Sequence, residues 1–182
     1  MGHRILEVYI HRDGKSNTKR KYKVVRFGKL INKIINGLDY RNFTEKGTKY
    51  LRVGNIKPFK IDETDIKHIP LSLDSIDKDI LLERNDILLT RKGTFGIAVK
   101  IDKKRSDYII SSEVFRLILK DLNINFDYIV SVLNSILGKN QFLRKSVGAI
   151  MGSLSQEAVK SIFIPLPPRS IQDKIANEVK AK

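Results

Sequence analysis

Two cations, two glycines and a threonine follow an apolar run in the segment DILLTRKGTFG, residues 86–96. Arg91, Lys92 and Thr94 offer donors to an anion. Gly93 and Gly96 permit a backbone with φ > 0, in which amides can converge on that anion. The combination suits contact with phosphates or base edges, and it equally suits a hairpin turn with incidental charge. Three further groups have the right chemistry. Arg52 and Asn55 stand in YLRVGNI. Arg144, Lys145, Ser146 and Ser153 flank the glycine-containing loop at 148–154. Lys15, Lys19, Arg20, Lys21 and Lys23 belong to RDGKSNTKRKYK, which holds six Lys/Arg in twelve residues and reads as an exposed arm.

Groups that would carry out a reaction are missing. There is no G-x-x-x-x-G-K-[ST] and no G-x-G-x-x-G after a strand, so neither phosphate-cradling fingerprint is present. His3, His11 and His68 show no metal spacing, and the chain has no cysteine, which excludes disulfides and thiol catalysis. No Asn/Asp-Pro-Pro-aromatic motif exists to grip a base for methylation; Pro167–Pro168 stands between Leu166 and Arg169. The acids around Asp62–Asp65 with Lys67 are spaced as on an ordinary surface loop. No cofactor or metal is implied.

Charge is the strongest compositional signal. The 182 residues carry 35 Lys and Arg against 20 Asp and Glu, a net of +15, which favours a polyanionic partner and nucleic acid first. Residues 1–30 have a net charge of +7, whereas 61–90 have −5, so an acidic middle separates two basic regions. Those acids would repel phosphate and are expected to lie away from it. No apolar stretch reaches the roughly 18 residues of a membrane span, and the charged N-terminus is unlike a signal peptide. A cytoplasmic location without membrane contact is the expectation. The length allows one domain that buries roughly 70% of its unfolded surface.

The elements that must position these residues are mostly strands. ILEVYIH (5–11), KYLRVGNI (49–56), the two halves of 85–101, DYIISSEVFRLIL (107–119, bulged at Ser111–Ser112) and SIFIPLPP (161–168) are expected to be extended. FGKLINKIINGLDY (27–40) places Leu30, Ile31, Ile34, Ile35 and Leu38 at helical spacing, and a helix is predicted there. A helix is also predicted over 126–147, with a bend or break at Gly138. Ser155 suits the cap of a short helix, and Ser170 that of a terminal helix with Ile171, Ile175 and Val179 on one face. Tyr and Phe lie mainly within these periodic segments and read as core, which disfavours a single-strand or RNA binder.

The order VRFGKLINKIINGLDY, KYLRVGNIK, LERNDILLTRKGTFG, IISSEVFRLIL, SVGAIMGSLSQEAVKSIFIPLPP and RSIQDKIA resembles a target recognition domain of the type I restriction–modification DNA-specificity subunit. The resemblance runs from about Val25 to Ala176, and DILL-x-R-x-GT-x-G and IPLPP-x-x-x-Q-x-x-IA are its most specific parts. It implies a single α/β domain of α+β type, strand-rich with a few helices. The implied limits are a basic strand or arm over 1–24, the recognition domain over 25–168, and the start of a long spacer helix over 169–182. It further implies a non-catalytic module that reads one half of a bipartite double-stranded DNA target. Methyltransferase subunits and a restriction motor subunit are the implied partners, with a second recognition domain or a second copy reached through the C-terminal helix. The chain departs from the family in having one recognition domain where a full subunit has two. A second reading makes it the C-terminal recognition domain of a single-chain type II restriction–methyltransferase enzyme, and a third a general nucleic-acid-binding protein.

Overall fold

The computed structural model describes residues 22–70, 80–104, 107–120, 123–146 and 152–181. The expected strand at 5–11 and the arm residues Lys15, Lys19, Arg20 and Lys21 lie outside them. In chain order the strands are β1 (Lys23–Arg26), β2 (Ile31–Asn36), β3 (Thr48–Leu51), β4 (Ile56–Lys57), β5 (Lys60–Ile61) and β6 (Lys67–Ile69). They continue with β7 (Ile87–Thr90), β8 (Ala98–Lys100), β9 (Tyr108–Ile110), β10 (Val114–Leu119) and β11 (Phe163–Leu166). The helices are α1 (Phe126–Asn134), α2 (Ile136–Ser146), α3 (Gln156–Ser161) and α4 (Arg169–Lys180).

The centre is an antiparallel sheet ordered β2–β10–β7–β8. Successive strand residues point to opposite faces, and here both faces are covered. Ile87, Leu89, Ala98, Phe115, Leu117 and Leu119 enter one core, with the apolar faces of α1, α3 and α4 and Phe142 of α2. Leu88, Val99 and Val114 enter a second core with Leu51, Ile56, Tyr108 and Ile110. That is why β7 reads as an uninterrupted apolar run: all four of its residues are buried. Beside these strands an ion pair is buried. Arg116 Nε lies 2.7 Å from Asp86 Oδ2, with the side chains only 6% and 5% exposed. Burial pushes the Asp86 carboxyl up, while Arg116 and the Glu83 N–H pull it back.

A second sheet, β6–β3–β9, pairs β3 antiparallel to β6 and parallel to β9. The expected bulged strand over 107–119 is therefore two strands in two sheets. Ser111 and Ser112 form the pivot, their N–H groups bonding Leu51 and Leu38 carbonyls. The strand expected over 49–56 likewise ends at Leu51. A 3₁₀ turn at Val53–Asn55 follows, because Asn55 Oδ1 accepts the Arg52 N–H and curls the chain.

The helix predicted over 27–40 is instead a 3₁₀ turn, Phe27–Lys29, followed by β2. Ile31, Ile34 and Ile35 are β-branched, and β2 gains a full ladder against β10 that a helix could not use. Gly37 confirms the extended path, since a Cβ there would lie 2.1 Å from the Ile110 carbonyl oxygen.

The break in the long helix falls at Ser135, three residues before Gly138. The Ser135 hydroxyl donates to the Val132 carbonyl at 2.6 Å and faces the Gly138 N–H at 3.4 Å, so it serves the end of α1 and the start of α2. Ser155 caps α3 as expected, accepting from the Ala158 N–H. Ser170 does not cap α4: the helix starts two residues earlier than that cap would place it, with Pro168 as N-cap and its carbonyl bonded by the Ile171 and Gln172 N–H groups.

The terminal helix is docked onto α1 by polar groups as well as by Ile175 and Ala176. Gln172 is 5% exposed; its Oε1 accepts from the Asn125 N–H at 3.0 Å and its Nε2 donates to the Pro167 carbonyl at 2.8 Å. Asn125 caps α1 with Oδ1 and gives Nδ2 to Asp173. Asp127 takes both Lys180, at 2.8 Å, and Lys100 of β8, at 2.9 Å.

Candidate nucleic-acid interface

The segment at 86–96 is a strand followed by a tightly held turn. The Thr90 hydroxyl donates to the Thr94 carbonyl at 2.7 Å and accepts the Ile97 N–H at 2.9 Å, while the Gly96 N–H bonds the Thr90 carbonyl. Gly93 has φ +64 and open space around it; Gly96 has φ +83 and sits against Phe142. Lys92, Gly93 and Thr94 are exposed at the tip. Lys92 makes no hydrogen bond or ion pair with a described residue.

Arg91 is different in kind. Its guanidinium lies 4.9 Å from the Phe115 ring centroid, with Nε 3.4 Å from the Leu154 carbonyl and Nη1 3.3 Å from that of Ser112. The backbone repeats the attachment, since the Leu154 N–H bonds the Arg91 carbonyl at 2.8 Å. Arg91 thus ties the turn to the segment around Ser153, whose neighbour Leu154 is fully buried.

Three groups that stand far apart in the sequence are brought together. The 91–96 turn meets 152–155 through Arg91 and Leu154, and it meets α2 through Gly96 and Phe142. Arg144 and Lys145, both exposed, occupy the last turn of that same helix. The turn, the 152–155 segment and α2 are thereby neighbours, with Lys92 exposed on the first and Arg144 and Lys145 exposed on the last. Within the acidic 61–90 region, Asp65 answers two cations close to it in the chain. Asp65 pairs with Arg52 at 2.7 Å and Lys67 at 2.9 Å, and those hydrogen bonds, from Lys67 first and then Arg52, hold its carboxyl below the usual range.

Arg52 and Asn55 belong to that second group. The Arg52 guanidinium serves Asp65, and Asn55 is buried with Nδ2 donating to the Asp62 carbonyl at 3.0 Å. Their polar groups hold the 52–65 segment in shape. Among the described residues no group of His, Asp and Glu is placed to hold a metal ion. No helix among them is long and apolar enough to cross a membrane.

A family model for the type I restriction modification DNA specificity domain matches residues 19–181. The chain belongs to that family. As a DNA specificity domain it has the mixed sheet-and-helix fold of solved relatives. It is similar to the HsdS subunit from Thermoanaerobacter tengcongensis, with TM-score 0.65 and 16% identity over 99% of this chain and 41% of that one. A chain from a structure on complex assembly and conformational transition of the type I R-M system gives the same TM-score and identity, over 99% and 42%. The type IIG restriction endonuclease BpuSI gives 0.66 and 13%, over 100% of this chain and 28% of its own. This specificity domain thus spans about two fifths of the first two. No curated protein matches it.

The hairpin β4–β5 was not among the candidates legible in the sequence. It places Phe59 at its tip, 42% exposed, between Lys57 and Lys60. Pro58 next to an aromatic was the one signal of a turn there.

Proposed function

We propose that this specificity domain reads duplex DNA, without catalysing a reaction, through the surface built from the 91–96 turn, the 152–155 segment and the end of α2. Lys92, Arg144 and Lys145 hold phosphates, and the Gly93 and Thr94 backbone, with Ser153 beside it, approaches the groove. The observation that carries this reading is the convergence of those three segments on a chain with net charge +15. Cations that neutralise phosphates set register and affinity, and polar groups beside them meet base edges. Lys19, Arg20 and Lys21 extend the same chemistry along the backbone.

The module reads one half of a bipartite target. Helix α4 runs on towards a second recognition module or a second copy, and with it presents methyltransferase and restriction subunits to the DNA. Titration of labelled duplex at several salt concentrations, alone and with the methyltransferase of the same system, tests this. Affinity should fall linearly on a log–log plot, with a slope of about −0.9 per phosphate contacted. Absent or salt-independent binding, with the methyltransferase present, rejects the reading.

The likeness to BpuSI favours one alternative, a recognition portion of a single-chain restriction–methyltransferase. Methyltransferase motifs in the same open reading frame, upstream of this segment, would decide for it.

A further inference from the structure

A single exposed phenylalanine needs no explanation on a protein surface. Phe59 differs because its backbone is unfavourable as well. Lys57 pairs with Lys60, so Pro58 and Phe59 form a two-residue loop, and Phe59 has φ +65. Proline in the first loop position and φ > 0 in the second is the pattern that ordinarily calls for glycine, since a Cβ in the left-handed region is penalised. The ring recovers little of that cost. It is 42% exposed and belongs to none of the clusters of packed apolar side chains among the described residues. Non-glycine residues held in this way persist where the surrounding structure over-determines them, and they gather at sites of binding.

The hairpin is over-determined. Ile56 is buried and Ile61 packs beside it in the second core, with Leu88 of β7 and Val99 of β8. The Phe59 N–H bonds the carbonyl of Ala98, the first residue of β8, at 3.3 Å. Ala98 follows the 91–96 turn by two residues, so the hairpin tip stands beside the end of the sheet that carries Lys92. Lys57 and Lys60 stand on either side of the Pro58–Phe59 loop; neither makes an ion pair with a described residue, and both lie near enough to Asp62 to help hold its carboxyl low. An exposed aromatic on a held backbone, with a lysine on each strand of its hairpin, has the composition of a contact with nucleobases beside phosphates. Phenylalanine either packs on a thymine methyl in the major groove or wedges a base step from the minor groove.

We propose that Phe59 is a base-contacting residue of this domain, held out by a strained hairpin, with Lys57 and Lys60 on the flanking phosphates. The inference rests on the duplex-reading function and adds to it a specificity-determining residue on a different segment of the chain.

The test compares wild type with Phe59→Gly and Phe59→Asn, both of which suit φ > 0 and remove the ring. The probes are a duplex enriched by the wild-type chain from a randomised pool and a shuffled duplex of equal length. Both variants should melt no lower than wild type, and Phe59→Gly about 1–4 °C higher as strain is relieved. Both should bind the enriched duplex about 10-fold or more weakly, with the shuffled duplex little affected and the salt slope unchanged, because the ring carries no charge. Lys57→Ala with Lys60→Ala should flatten the slope instead. Variants that bind the enriched duplex like wild type, while wild type keeps its preference and salt dependence, overturn the role of Phe59 and leave the duplex-reading function standing. A clear fall in melting temperature overturns the strain argument. A wild-type chain that enriches no duplex removes both.

Discussion

Replacing Lys92 and Arg91 one at a time separates two roles that adjacent cations would otherwise blur. Lys92 is exposed at the turn and bonds no described residue, so Lys92→Ala should leave stability within about 0.5 kcal/mol. If it neutralises one phosphate, the slope of log affinity against log salt flattens by about 0.9. Between 50 and 200 mM salt, wild type then loses about 3.5-fold more affinity than the variant, on every sequence alike. Arg91 is held by the Phe115 ring at 4.9 Å and by carbonyls at 3.3 and 3.4 Å. The ring contact is worth roughly 1 kcal/mol and the two long hydrogen bonds roughly 1 kcal/mol each. Arg91→Ala should therefore cost about 2–3 kcal/mol, a fall of about 1–1.5 M in the urea midpoint at a slope near 2 kcal/mol/M. Equilibrium urea unfolding and salt-dependent duplex titration, run on both variants, read the two quantities independently. An Arg91→Ala protein of wild-type stability, or a Lys92→Ala protein with an unchanged salt slope, refutes the division of labour.

The buried pair should show itself through pH. Arg116→Met leaves the Asp86 carboxylate in the interior with the Glu83 N–H as its remaining described donor, and should cost about 3–5 kcal/mol at neutral pH. Asp86 already lies above the ordinary carboxylate value through burial, and losing Arg116 raises it further. A folded pKa above the unfolded one makes stability fall as pH rises between the two, so the deficit of the variant should shrink as pH drops towards about 4. A pH-independent deficit in urea titrations counts against this account. Gln172→Leu strands the Asn125 N–H and the Pro167 carbonyl, and should cost about 2–4 kcal/mol with faster amide exchange in α4. Gly37→Ala puts a methyl 2.1 and 2.3 Å from two carbonyl oxygens of the main chain, and should cost at least about 3 kcal/mol or prevent soluble expression.

Segments whose local pattern and tertiary role agree were legible before any coordinates. The strand–turn–strand at 85–101, the amphipathic α1, the capped α3 and the strand ending in two prolines are of this kind. The failures are places where a distant partner decides. Leu30, Ile31, Ile34 and Ile35 satisfy a helical stripe, but β10 lies beside them and converts the segment into an edge strand. Ser111–Ser112 looked like a bulge because nothing local shows that β9 joins β3 while β10 joins β7. At the candidate interface, the types of residue were legible and their commitments were not. Arg91 and Lys92 are indistinguishable as letters, yet one is bound to carbonyls 21 and 63 residues away and the other faces solvent. Phe59 carries no local sign of its exposure, because an aromatic in a strand-rich segment ordinarily packs inward.

A further set of contacts links the turn to the C-terminal helix α4. Asn134 bonds the Ala98 N–H and carbonyl at 2.9 and 2.8 Å, as a neighbouring strand would, and so fastens the end of α1 to the strand that emerges from the turn. At the other end of α1, Asp127 holds Lys100 of that strand and Lys180 of α4. Burial acts to raise the Asp127 pKa, but the bonds from Lys180 and Lys100 outweigh it and leave the carboxyl below its ordinary value, charged at neutral pH. Helix α1 is therefore tied to β8 at two points and, at its N-terminal end, to α4. A surface that reads half of a DNA site is useful only if the second half is presented at a set distance and angle. On the proposed reading, that angle is set inside this domain, by Asn125, Asp127 and Gln172, before the long helix extends beyond it.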